Sequence, residues 1–171
     1  MEPKPIHAQG FFTVSKTGRF VEIIRFDYYD PEEYYADIYH NEEKYYWETW
    51  KLAHNMQAEL DSEEVFINGT RTKPKVLLVN IEHSGAPELP HVTFIIEFSG
   101  PLKKGVNTYE NVYEAEVAEY DLEAYWIFPP GTIIKCFEGD MEYDIKERVL
   151  YLWKRKGDFV KGYEKIVFEL S

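Results

Sequence analysis

With one cysteine in 171 residues, Cys136, the chain can make no internal disulfide and must hold its fold by burial alone. No stretch approaches the roughly twenty apolar residues that a membrane span requires. The opening Met1-Glu2-Pro3-Lys4-Pro5-Ile6-His7 has no apolar core of the kind a secretory leader carries, so a cytoplasmic protein is expected. Bases are scarce too: 19 Lys and Arg against 31 Asp and Glu give a net charge of −12, which excludes general affinity for nucleic acid or anionic membrane. No Gly-rich loop joins a strand to a helix, and Gly-x-Ser-x-Gly, Cys-x-x-Cys and His-Glu-x-x-His are all missing. Phosphate-loop, serine-hydrolase and zinc-protease chemistries are therefore unsupported, and no cofactor is expected. There is no internal repeat, low-complexity tract or Gly/Ser linker.

Aromatic side chains are plentiful, with 14 Tyr, 11 Phe and 4 Trp. Much of that content falls into short runs that alternate apolar and polar residues. Val92, Phe94, Ile96 and Phe98 point one way and Thr93 and Glu97 the other, the two-residue period of a half-buried strand. The beat returns at Tyr113-Ala115-Val117, Ala124-Trp126-Phe128, Ile133 to Phe137, Val149-Tyr151-Trp153 and Ile166-Phe168-Leu170. Pro129-Pro130-Gly131, Gly139-Asp140 and Gly157-Asp158 punctuate it. Asn68-Gly69 between Val65-Phe66-Ile67 and Thr70 to Lys73 is a hairpin signal, since both residues tolerate positive φ.

Ahead of these strands, Gly10 to Val14 and Arg19 to Phe26 flank Thr17-Gly18 as an opening hairpin, with Phe20, Ile24 and Phe26 on one face. Asp30-Pro31-Glu32-Glu33 predicts a helix start with Asp30 as cap, and Glu42 to Leu60 is the long helix. A stripe of Tyr46, Trp50, Ala53, Met56 or Gln57, and Leu60 marks its buried side, so Trp50 is expected inside. The fold class expected is mainly β, an antiparallel β-sandwich or partly closed barrel of about eight to ten strands with a helical segment near 31–60. Residues 1–171 form one domain, with hairpin and helices (1–62) packed on a β-rich part (63–171). A helix-grip cavity also matches the element order from Arg19 to Phe137, but that arrangement ends in a long helix and this chain ends in strands.

Charge is locally uneven. Glu110 to Glu123 carries six acids and no base, whereas Lys146 to Lys165 is rich in bases; opposite charges of this kind pair across neighbouring strands. Abundant Tyr, Glu and Lys with one Cys also resembles a thermophile-like composition. Cys136, in an alternating strand beside Ile134, is expected as a small buried hydrophobe.

Three constellations could carry chemistry. Glu82, His83, Glu88 and His91 lie at two strand ends and the loop between, carboxylate and imidazole donors that suit Zn²⁺. His54, on the long helix beside Trp47 and Trp50, could act as a base if a carboxylate held its ring. Asp27, Asp30, Glu32, Glu33 and Asp37 could gather around a divalent cation, although helix capping accounts for most of them. The densest aromatic segment includes Tyr28, Tyr29, Tyr34, Tyr35, Tyr39, Tyr45, Tyr46, Trp47 and Trp50, more rings than one face of two helices can bury. Exposed Tyr and Trp anchor binding surfaces. The expectation is a non-enzymatic binding or protein-interaction module that meets a partner, or another copy of itself, through Tyr34, Tyr35, Tyr45 and Trp47. The alternative is an enzyme or small-ligand binder with a pocket between helices and sheet.

Overall fold

Thr17-Gly18 turns the chain between β1 (Lys4–Val14) and β2 (Arg19–Tyr29), which pair from Val14 opposite Phe20 to Lys4 opposite Tyr29 with one register shift between Pro5 and His7. Gly18 is required there: its φ is +92° and its backbone lies against Gly100, whose amide donates to the Gly18 carbonyl. The computed structural model describes residues 1–171. After β2 come α1 (Tyr34–Tyr39) and α2 (Glu42–Ser62), then twelve strands. These are β3 (Glu64–Ile67), β4 (Thr70–Thr72), β5 (Lys75–His83), β6 (Pro90–Ser99), β7 (Gly105–Val112), β8 (Glu116–Val117), β9 (Asp121–Ile127), β10 (Ile133–Gly139), β11 (Glu142–Lys146), β12 (Val149–Lys154), β13 (Phe159–Val160) and β14 (Tyr163–Leu170).

Strand accounts for 54% of residues and helix for 16%, so the chain is β-dominated as its alternations require. A seven-stranded sheet in the order β11-β12-β9-β1-β2-β6-β5 faces a five-stranded sheet, β10-β14-β7-β3-β4, and β8 pairs with β13. Neither sheet closes into a barrel, which leaves the sandwich. The pairing is antiparallel except between β1 and β9, which run parallel with Phe11 beside Tyr125. More than a hundred residues separate these two strands, and a chain that has crossed to the second sheet and back can re-enter in either direction. The opening hairpin is thus the middle of the large sheet, between β9 and β6, rather than a layer packed on it.

The inner face of the large sheet is covered in two parts. Phe20, Phe98, Trp126, Leu150 and Leu152 meet Ile67, Tyr109, Ile166 and Phe168 of the small sheet. At the β6-β5 end, Val92, Phe94, Ile96 and Ile81 meet Tyr35, Ile38 and Leu60 of the helices. Helix α2 also protects the free edge of β5: the Tyr45 hydroxyl accepts from the Ile81 amide at 3.1 Å, and the Gln57 side chain accepts from the Val76 amide at 2.9 Å.

Several local expectations are corrected. The inward stripe of α2 is Tyr45, Glu48, Leu52, Met56 and Leu60, so Trp50 is 52% exposed instead of buried. Both stripes obey three- and four-residue spacing, and docking chose the one that can bond the β5 edge. Asn41 caps α2 by accepting from the Lys44 amide. Asp30 is not the residue at the start of α1; Glu33, in the left-handed region, precedes Tyr34, while the buried Asp30 carboxylate accepts from the Tyr35 amide at 2.8 Å. Cys136 is a free, half-buried thiol, because a register shift after Ile134 breaks the alternation. The opposed charge runs do meet, as β7 with β14, β8 with β13 and β9 with β12, and Lys154 reaches Glu116 at 3.3 Å.

Candidate functional site

In each of four strands the inward series ends on, or is broken by, a polar residue. On β2, Glu22 stands between Phe20 and Ile24; on β14, Glu164 precedes Ile166 and Phe168. On β7, Asn111 follows Tyr109, and on β12, Lys154 follows Leu150 and Leu152. Pairing sets Asn111 opposite Glu164 on the small sheet, Glu22 and Lys154 stand two inward rows apart on the large one, and Glu63, at the end of α2, joins them. Together they line a cavity of about 320 Å³ between the two sheets and the last turns of α2. Its walls are mainly apolar, with Phe12, Ile24, Phe26, Met56, Leu122 and Trp126 prominent.

Three carboxyl groups of this cavity, Glu22, Glu63 and Glu164, hold their protons above the ordinary range. Burial pushes Glu22 up to about 8, and the neighbouring charges of Glu63 and Glu164 add to it. Glu22 is half-buried and lines the cavity among mainly apolar neighbours, which disfavours its ionised form. Glu63 is raised to about 7 by burial, against a hydrogen bond from Asn111 and with repulsion from Glu164, Glu59 and Glu116. Burial raises Glu164 too, opposed by the Tyr113 hydroxyl, which donates to it at 3.1 Å, and by Lys154. The Asn111 side-chain oxygen is buried without a hydrogen-bond partner, while its amide nitrogen donates to Glu63 at 3.4 Å. The cavity therefore holds three acids whose ionised forms burial opposes, one buried lysine that reaches Glu116, and the Asn111 side-chain oxygen.

The residues singled out from sequence are scattered. Tyr35 is buried against the sheet, and its ring meets Tyr28 edge-on at 5.7 Å, so it cannot be a surface contact. Tyr45 is half-buried and spends its hydroxyl on Asn80 and Ile81. Tyr34 and Trp47 are exposed. His54 is exposed, stacked on Trp50 at 5.2 Å, and has no hydrogen bond to a carboxylate, the condition for a base. Glu82, His83, Glu88 and His91 do not converge as metal ligands: the His83 ring meets Tyr39, and His91 bonds Ser84 at 3.0 Å. The proposed gathering of Asp27, Asp30, Glu32, Glu33 and Asp37 is likewise absent.

A second polar cluster, on the opposite face of the large sheet, went unnoticed in the sequence. His7 lies between Asp27 at 2.9 Å and Glu123 at 2.8 Å, and Arg25 donates to Asp27 at 2.8 Å. Burial lowers the His7 pKa, but bonds to and charges on the two carboxylates outweigh it and leave it raised. The groups satisfy one another across three strands, β1, β2 and β9.

No family model matches the chain, and no curated protein matches it in sequence. Among solved structures, the NMR structure of the folded domain of Mycobacterium tuberculosis LppM is similar over 100% of this chain and 93% of that one, at 10% identity and a TM-score of 0.51. That likeness is one of fold. A candidate protease from Parabacteroides distasonis and an M1 zinc metallopeptidase from Deinococcus radiodurans align at 7% and 9% identity with TM-scores of 0.36. This chain spans 98% of its own length in each match but only 40% and 42% of theirs. Likeness at that level carries no argument.

Proposed function

We propose that the protein binds small organic molecules with an apolar body and a cationic head in the cavity between its sheets. The observation that carries this reading is the trio Glu22, Glu63 and Glu164 in an aromatic-walled cavity. Buried acids with raised pKa values are an unbalanced negative site waiting for positive charge. A bound ammonium group replaces the proton, and a ring of the wall such as Tyr113 adds attraction to a cation over its face. The volume is in the range of small-molecule pockets. A net charge of −12 sets the protein against nucleic acid, and a free Cys136 accords with a soluble protein of the cytoplasm. No helix is long and apolar enough to cross a membrane.

The test is calorimetric titration with octylammonium, octanol and octanoate at pH 6 and pH 9. Displacement of one proton from a group near pH 8 should weaken octylammonium binding about 100-fold at pH 6 relative to pH 9. Octanol should be insensitive to pH, octanoate should bind least, and Glu22→Gln should flatten the octylammonium dependence. Equal responses to the three probes, or none to any, would sink the reading.

A second reading is carried by a different surface. Tyr46, Trp47 and Trp50 are 60%, 56% and 52% exposed and meet edge to face along the outer side of α2. This suits a protein partner. Trp47→Ser and Trp50→Ser should abolish capture of such a partner while leaving octylammonium binding unchanged; capture that survives both changes removes the surface from consideration.

A further inference from the structure

The face of the large sheet turned away from both the small sheet and the helices carries a continuous apolar row. Pairing places Tyr151, Tyr125, Phe11, Ile23, Ile95 and Leu78 side by side across six strands, β12 through β5. Rings stack along it, Tyr151 on Tyr125 at 4.9 Å and Phe11 on Tyr125 at 5.1 Å. Phe11, Ile23 and Leu78 are 37%, 41% and 49% exposed, so this face lies open. Flanking rows two residues away add Val21, Ile127 and Val149 on one side and Trp153 on the other.

The charges on either side of the row are opposite in sign. Toward one edge lie Lys146, Lys75 and Arg19, with Glu97 the one acid among them. Toward the other lie Glu142, Glu123, Asp121 and Asp27, with Arg25 and His7 held by Asp27 and Glu123. Such a surface complements itself. A two-fold axis running along the apolar row lays each row residue against its own copy and turns the basic flank of one molecule onto the acidic flank of the next. On β11, Asp144 continues the row, and Lys146 and Glu142 stand two residues to either side. The axis therefore sets Lys146 against the partner's Glu142. On β2, Arg19 and Asp27 stand four residues to either side of Ile23, and Arg19 falls against the partner's Asp27. Neither Lys146 nor Glu142 has an ion-pair partner within its own chain.

The extent is sufficient. Seven strands about 4.8 Å apart and three side-chain rows span about 30 by 20 Å, on the order of 600 Å², near the roughly 800 Å² per partner of a standard specific interface. The apolar part of this face, the row with Val21, Ile127, Val149 and Trp153 beside it, is a contiguous patch of the kind that marks interaction sites. We infer that this face is a dimer interface, in which two copies pack sheet on sheet about a two-fold axis along the row from Tyr151 to Leu78. Sheets packed this way keep their strands within about 30° of one another, so the wide central rows stay in contact.

Sedimentation equilibrium tests the assignment with a charge swap at exposed edge positions that the fold does not need. The wild type should be a dimer. Lys146→Glu and Glu142→Lys should each weaken it about tenfold, because two pairs per dimer turn from attraction to repulsion. The double variant restores the pairs in reversed order and should return to within about threefold of wild type. Ile23→Lys, in the middle of the row, should give a monomer, and unfolding curves for every variant confirm the fold. A wild type that stays monomeric at about 100 μM, a range where standard interfaces associate, overturns the inference. So does a dimer that ignores the single charge reversals, or whose double variant is weaker than either single one. A monomer that instead binds soluble oligosaccharide on the aromatic row would also overturn it.

Discussion

Replacing Glu22 by Gln should stabilise the protein in alkali and leave it nearly unchanged in acid. The Glu22 carboxyl is raised from 4.5 to about 8 by burial and by its acidic neighbours. Between those values the folded chain holds a proton that the unfolded chain has released. The stability this proton contributes is complete below the unfolded value and is lost as pH rises to the folded one, by about 1.4 kcal/mol for each pH unit. Across that window the upper bound is about 5 kcal/mol. Repulsion is shared with Glu63 and Glu164, which titrate upward as well, so Glu22 by itself carries roughly 2–4 kcal/mol. Gln has nearly the shape of the protonated acid and cannot ionise. At pH 9 the variant should therefore exceed wild type by about 2–4 kcal/mol, or roughly 5–15 °C in Tm for a chain of this size. At pH 5 the two should agree within about 1 kcal/mol. Urea unfolding followed by tryptophan fluorescence measures both, with Trp126 in the cavity wall as a reporter. An equal difference at the two pH values, or a Glu22→Gln variant that is the weaker protein at pH 9, would refute the reasoning.

Two further changes check the packing. Trp126→Ala should cost about 3–5 kcal/mol in chemical unfolding, since it empties a fully buried site, whereas Trp50→Ala on the exposed side of α2 should cost under about 1 kcal/mol. Tyr35→Ser should destabilise by about 3 kcal/mol through lost burial, and Tyr45→Phe by about 1–2 kcal/mol, because the Ile81 amide and Asn80 lose their shared hydroxyl. Indistinguishable Trp variants, or Tyr variants as stable as wild type, would place these side chains elsewhere.

Which residues form strands was decided locally, and so it was legible. A period of two shows in any half-buried strand, and Asn68-Gly69 specifies its turn whatever surrounds it: both residues take positive φ, 50° and 76°. The existence of α2 was legible for the same reason. Its orientation was not, because rings occur on both sides of the helix and two stripes satisfy the same spacing; only the edge of β5, with its free Ile81 and Val76 amides, selects Tyr45 and Gln57.

The candidate site divides along the same line. That Glu22, Glu164, Asn111 and Lys154 point inward follows from parity alone, since each shares its strand face with buried apolar residues. The signal lies in the parity of each strand, where a polar member interrupts or ends an otherwise apolar series. That they meet was decided by tertiary structure: β2 and β12 belong to one sheet, β7 and β14 to the other, and the parallel entry of β9 beside β1 sets which strand ends coincide. The apolar row on the outer face has the same origin, for its members come from six strands and each looks ordinary in its own. Alternation assigns a side chain to a face, but which faces are covered and which residues converge on them depends on strand order, and strand order is a property of long-range pairing that no local window contains.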